Sequence, residues 1–381
     1  MTNSLGLVGG TANLSTTLAG KSRLQQADVI RRVCVARTNT VVPQLEFAAD
    51  GLTRTKINTV NPALGAAQII APVRPSNYLQ PGYRSDVLIA FPSDGDYCLL
   101  DQAAPPGERV VVKNGNAVGN GGNGPSVPQL LAYVHVRGGH PVSGDVRSYI
   151  LKTLYDGNPQ LPAAVRDGVR GGDLTPFAPF VHLAPPSPQI TPAPTAYFQI
   201  AGSIQPNAFG VNGQGYDPNT VQKILTRQVE TTDDWDVAIL PTPPPTGSSG
   251  AEPHIFHIHI NPFEIVDVLK IDNKNGKITK RSIYDPKTGA CNAVAFEDKQ
   301  QLADQYCGMY HVFRDTLFIE NGYDVKLRTH YSRYTGEFVL HCHILDHEDA
   351  GMMANVLLCP NGTACTPAPN AAKSMTTHMR H

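Results

Sequence analysis

Turn-forming residues interrupt this chain so often that a bundle of long helices is excluded. Glycine occupies 34 and proline 32 of its 381 positions, about one residue in six where about one in eight is usual. Between these breaks lie short runs that read as strands, such as Pro81-Gly-Tyr-Arg-Ser-Asp-Val-Leu-Ile-Ala-Phe91 and Val325-Lys-Leu-Arg-Thr-His-Tyr331. Many short elements joined by tight turns predict an all-β fold. Hydrophobic residues make up 41% of the chain, enough for sizeable cores. At roughly 100–200 residues per domain the length suggests two or three domains.

Charge narrows the function classes. Thirty-one basic residues face 32 acidic ones, a formal net charge of −1 with no long run of one sign. That balance does not suggest a nucleic-acid binder or an electrostatic membrane anchor. The longest apolar runs are a few residues, far short of the roughly 20 needed to span a bilayer. Residues 1–20 hold no basic residue and no continuous apolar stretch, so they do not read as a secretory signal.

The sequence divides into a first β domain at 1–165, whose N-terminal edge is expected to be incomplete, a Pro/Gly-rich linker at 166–195, a second β domain at 196–360 and a mobile polar tail at 361–381. The linker reading rests on Gly171-Gly172 and on Ala184-Pro-Pro-Ser-Pro-Gln-Ile-Thr-Pro-Ala-Pro194, a composition that favours extended polyproline II. Residues 114–124, rich in Gly and Asn, read as a flexible loop.

Seven cysteines are present. Six of them, Cys34, Cys98, Cys291, Cys307, Cys359 and Cys365, can form three disulfides or remain reduced, because spacing does not set connectivity. Cys359 and Cys365 bracket a Pro-Asn-Gly turn, and Cys291 and Cys307 bracket a polar insert. The seventh, Cys342, sits between two histidines.

Six of the 13 histidines fall in two windows, His254-Ile-Phe-His-Ile-His259 and His341-Cys-His-Ile-Leu-Asp-His347, the latter followed by Met352. Alternate side chains of a strand point to opposite faces. His257 and His259 therefore share one face and His254 takes the other. His341 and His343 likewise share a face, and Cys342 points away from both. If the two strands pair, one face gathers four imidazoles. The other gathers His254 and Cys342, and the turn beyond can bring round His347 and Met352. Two nitrogens, a thiolate and a thioether are the donor set of a blue-copper electron-transfer site, and four neutral imidazoles suit a multi-copper centre. A zinc site is the weaker reading, since zinc rarely takes a methionine and needs no second imidazole face. His135, His140, His182, His311, His330, His378 and His381 are scattered and read as surface or hydrogen-bonded core histidines.

These windows carry the His-x-x-His-x-His and His-Cys-His-x-x-x-His-x-x-x-x-Met motifs, in the same order and at the same spacing, of the multicopper oxidases, which the sequence resembles. Arg314-Asp-Thr-Leu-Phe-Ile319 and Tyr334-Thr-Gly-Glu-Phe-Val-Leu340 look like that family's approach to its His-Cys-His strand. Asp96-Tyr-Cys-Leu-Leu100 and the run at 81–89 look like its middle domain. The resemblance spans about residues 25–360, weakly in the first half and specifically in the second. It implies two cupredoxin-like Greek-key domains, corresponding to the family's second and third. It implies His254, Cys342, His347 and Met352 as type 1 copper ligands, with Met352 the weak axial one. It further implies His257 for a type 2 copper, His259, His341 and His343 for a type 3 pair, and Glu348 as a proton relay to oxygen.

By the same resemblance the function is a copper-dependent oxidoreductase. It takes single electrons from a small reductant (phenol-like or a metal ion) at the type 1 copper and reduces O2 to water at the trinuclear site, in the periplasm or outside the cell. The family's first domain supplies two further His-x-His pairs, and this sequence holds no other. The trinuclear site is therefore expected to be partial, completed only if another chain or an oligomer partner supplies those pairs. The alternatives are a non-catalytic blue-copper electron-transfer module and an inactive fragment.

Overall fold

A computed structural model describes residues 3–10, 18–22, 24–26, 28–29, 42–60, 77–101, 112–113, 116–117 and 129–177 of a first unit. In a second it describes 180–186, 194–200, 209–217, 223–239, 253–274, 277–297, 303–363 and 365. The units meet in sequence between Phe177 and Ala178. Strands dominate both, as the frequent turns predict.

In the first unit, strands Asn3–Gly10, Asn77–Leu79, Gly95–Asp101 and Gln129–Val136 make an antiparallel sheet, and Gln44–Ala49 pairs with both Leu52–Val60 and Ser85–Ile89 in a second. Two helices, Val146–Gly157 and Ala163–Gly171, depart from the all-strand expectation. The first is capped by Asp145, whose side chain accepts from Ser148 N, satisfying a donor that a helix start leaves unpaired. Its Ile150 and Leu151 pack with Leu45 and Ile57 of the smaller sheet.

The reading of 166–195 as linker is corrected over its first third. Residues 166–171 belong to the second helix, Ile57 N donates to Gly172 O, and Leu174 N donates to Thr55 O. Backbone hydrogen bonds to a strand hold this stretch, so it cannot act as a spacer. Residues 187–193, with Pro188 and Pro192 of the proline-rich run, lie outside the described residues. Within the stretch read as a loop at 114–124, Asn116–Ala117 pairs with Val112–Lys113 as a short ladder. Cys34, His378, His381 and the tail beyond Cys365 are outside the description.

The second unit is a sandwich of two sheets. The larger runs in the order Phe209–Val211, Thr195–Ile200, Thr231–Ile239, Tyr323–Tyr331, Phe263–Lys274, Lys277–Ser282, with Phe313–Arg314 also paired to Phe263–Lys274. The smaller runs Lys223–Gln228, Met353–Cys359, Gly336–Cys342, His254–Ile258, Thr316–Ile319. Each sheet contains one parallel pair near an edge, Thr195–Ile200 with Thr231–Ile239 and Lys223–Gln228 with Met353–Cys359. Tyr323–Tyr331 is central and buried along most of its length. Lys277–Ser282 lies at an edge, and its exposed lysines discourage pairing with other chains.

Aromatic residues close the space between the sheets. Phe256 of the smaller sheet stands 6.1 Å from Phe198, 6.5 Å from Trp235 and 5.5 Å from Phe263 of the larger, ring centre to ring centre. Trp235 donates its indole N–H to Tyr331 Oη at 3.0 Å, so burial of that polar group is not penalised. Two disulfides, Cys291–Cys307 and Cys359–Cys365, tie this unit. Cys98 in the first unit is also disulfide-bonded. Cys342 is the free cysteine among the described residues.

Candidate metal centre

Strand register sorts the donors. In the antiparallel ladder between His254–Ile258 and Gly336–Cys342, Phe256 stands opposite Cys342 and His257 opposite His341. Phe256 points into the sandwich, so Cys342 and His254, of the same parity, point inward too. Both are 0% exposed. The next pair points the other way, and there His257 is half-buried and His259 exposed.

The inward group is compact. His254 Nδ1 and His347 Nδ1 are 3.1 Å apart, and Cys342 Sγ lies 3.8 and 3.7 Å from them. His347 comes from the short helix Leu345–Asp349 and stacks on Phe209, ring centres 4.5 Å apart. Gly351, at φ 106°, a region that favours glycine, then reverses the chain into the next strand. Met352 N donates to His347 O, and Cys342 N donates to Met352 O, both at 3.0 Å, which fixes the backbone of the buried Met352 beside that of Cys342. Ile255 N donates to Cys342 Sγ at 3.5 Å.

Burial sets the protonation of this group. It pushes His254 down to about 3, with repulsion from His347 adding to the effect. It pushes the Cys342 thiol up to about 11. His254 is thus neutral and ready to donate a lone pair, whereas the thiol ionises only if a cation replaces its proton.

The donors fit a metal ion. A point equidistant from the three atoms lies about 2.1 Å from each, within the roughly 2.0–2.3 Å range of metal–nitrogen and metal–sulfur bonds. Two imidazoles, a thiol and a buried methionine without any carboxylate make a soft set, which favours copper over calcium or magnesium.

On the outward face His257, His259 and His341 bring ligand atoms within 4.8 Å of one another. His259 Nε2 and His341 Nε2 are 3.2 Å apart. The His343 ring stands 5.3 Å from that of His257 and 5.6 Å from that of His341. His257 Nδ1 sits 2.9 Å from Asp315 O and Thr316 Oγ1, which turns its Nε2 toward the cluster, the orienting arrangement typical of metal-binding histidines. Burial lowers His257 to about 4, against the pull of Asp315, and lowers His259 as well. Glu348 places Oε2 3.1 Å from His341 Nδ1.

A third cluster was not visible in the sequence. His182 Nδ1 and His311 Nδ1 each lie 2.6 Å from Glu264 Oε1. Both histidines read as incidental, being 82 and 47 residues from Glu264 with no motif around them.

A β-sandwich with a buried His-His-Cys triangle one residue from a surface of imidazoles has the donor arrangement of a metal-binding protein. The multicopper oxidase family model matches residues 189–361. A multicopper oxidase of Staphylococcus aureus is 27% identical over 146 residues, covering 38% of this chain and 24% of the relative. A laccase of Bacillus stratosphericus is 27% identical over 100 residues, covering 26% and 17%. Among solved structures, a multicopper oxidase from Campylobacter jejuni, described as a metallo-oxidase, superposes with a TM-score of 0.47 at 18% identity, covering 83% of this chain and 49% of that one. Residues 189–361 are thus similar to the multicopper oxidase family, whose members bind copper. It spans about a quarter or less of the length of these curated relatives and about half of that solved structure.

Proposed function

We propose that this chain is the electron-relaying part of a multicopper oxidase, with His254, Cys342, His347 and Met352 holding a type 1 copper. His257 would serve a type 2 copper, and His259, His341 and His343 a type 3 pair. The observation that carries the reading is the triangle of His254, Cys342 and His347 donor atoms beside the buried Met352. Copper at these positions supplies one-electron redox chemistry between an organic or metal-ion reductant and O2.

The residues divide the work. His254 is sealed off, whereas His347 retains 8% exposure, so electrons enter over His347 and Phe209. Cys342 is joined through peptide bonds to His341 on one side and His343 on the other, a short covalent path from the inner pocket to the outer face. Glu348, a quarter exposed and in contact with His341, is placed to pass protons inward from water, and reducing O2 to water consumes four of them. The two disulfides of the second unit suit an oxidising compartment, in keeping with a periplasmic or extracellular site.

The outer face offers four imidazoles, half of the family's eight, and the remainder would come from a partner bearing further His-x-His pairs. Copper loading followed by absorption spectroscopy, metal analysis and oxygen uptake on a phenol tests the scheme. Intense blue absorption with little oxygen uptake is expected of this chain alone. Absence of a copper–thiolate band overturns the type 1 assignment, and rapid oxygen consumption overturns the half-site argument. A blue-copper module that only transfers electrons is the second reading, favoured by the same count of four imidazoles.

A further inference from the structure

We infer that His182, Glu264 and His311 form a further metal site, for a divalent transition-metal ion of borderline softness such as Zn2+, sharing no residue with the copper ligands. Glu264 is 0% exposed and sits at the start of strand Phe263–Lys274, opposite Arg328 and Phe313. Its Oε1 receives both Nδ1 atoms, and the two imidazole rings stand 4.3 Å apart, edge to face. Two histidines and one carboxylate are a recognised ligand set for zinc and for other first-row divalent ions.

The backbone prepares this geometry. Leu183, next to His182, is held at both its polar groups: its N–H donates to Glu264 Oε2, and its carbonyl accepts from Arg328 Nη1, both at 3.0 Å. His311 lies in the left-handed region at φ 59°, a conformation that costs energy for a side chain with a Cβ, and its N–H donates to Ile265 O at 2.8 Å. Ligands fixed by their supporting shell lose little entropy on binding.

Charge favours a cation. Arg328 is engaged with Asp234 through Nε and Nη2 at 2.6 and 2.9 Å. With neutral imidazoles, Asp234, Glu264 and Arg328 together leave one net negative charge beside the ligands. An ion bonded at roughly 2.0–2.2 Å to nitrogen and oxygen requires the Nδ1 atoms, now 2.6 Å from Oε1, to retreat from it by about 0.4 Å for right-angle and about 0.8 Å for tetrahedral coordination. The His182 and His311 side chains are 60% and 36% exposed, so they have room to do so, and water can fill the remaining coordination positions. A bound ion would clamp residues 180–184 to the larger sheet.

The test is zinc binding by the copper-loaded chain, followed by calorimetry and metal analysis, with the blue band recorded in parallel. The parent is expected to take up one Zn2+ more than His182→Ala and His311→Ala, and Zn2+ is expected to raise the melting temperature of the parent only. Removing one ligand is expected to weaken binding by at least about tenfold to a hundredfold, the loss seen for outer-shell partners alone. Equal zinc stoichiometry and equal melting shifts in parent and variants overturn the site. Because the readout is a difference at exposed His182, it holds whether or not the copper assignment survives.

Discussion

Cys342 Sγ lies 3.7 Å from His347 Nδ1, yet the residue before Cys342 faces a different cluster on the other side of the same sheet. This one-residue alternation makes Cys342 the hinge of the proposed chemistry. Cys342→Ser keeps the volume but removes the sulfur whose bond to copper generates intense blue absorption. The variant is expected to lose that absorption entirely while the His257, His259, His341 cluster still takes up copper. Absorption and electron paramagnetic resonance on copper-loaded protein check both halves.

Glu348 separates positioning from proton delivery. It contacts His341 Nδ1, whose ring also approaches Cys342 O at 3.0 Å. Glu348→Gln preserves a polar contact but removes an ionisable carboxyl. If Glu348 relays protons, the variant of a completed oxidase loses about 10²-fold or more in oxygen reduction. Its anaerobic reduction by substrate, read as bleaching of the blue band, stays near the parent's rate. A merely orienting role would instead lower copper occupancy at the outer face.

The Cys291–Cys307 bridge closes a loop of 16 residues around two short 3-10 turns, Ala293–Phe296 and Ala303–Tyr306. Restricting the unfolded chain by a loop of that size stabilises a fold by roughly 3 kcal/mol. Replacing both cysteines by serine is expected to lower the urea midpoint of the second unit accordingly, with the blue band unchanged at low denaturant. Equilibrium unfolding with and without reductant checks it.

Much of this was legible in advance because two-residue periodicity is a local property. His254, His257 and His259 carry their parity in the sequence, and pairing of the two windows follows from matching that parity. The helix Val146–Gly157 was missed although Val146, Ile150, Leu151 and Leu154 recur at helical spacing and pack into one cluster, because the turn-rich stretches on either side drew the reading toward short strands. The convergence of His182 and His311 on Glu264 was invisible for a deeper reason. It depends on Arg328 and Leu183 meeting across 145 residues, and on a left-handed His311 that no spacing encodes.

Burial of neutral histidines makes the metal-free chain sensitive to acid. His254 is held at about 3 and His257 at about 4 in the folded state, against about 6.5 in an unfolded chain. As pH falls below about 6.5 the unfolded state takes up these protons first, so stability drops, by up to about 1.4 kcal/mol per pH unit for each histidine. The loss continues until the folded groups themselves protonate, near pH 4 for His257 and pH 3 for His254. Above about pH 8 neither histidine contributes an appreciable slope. Urea midpoints of metal-free protein between pH 4 and pH 8 are expected to fall on the acid side and to flatten near neutrality. His254→Phe, which removes the titrating ring while filling its space, is expected to make the acid limb shallower, and an unchanged limb would show that His254 is not the buried neutral group responsible.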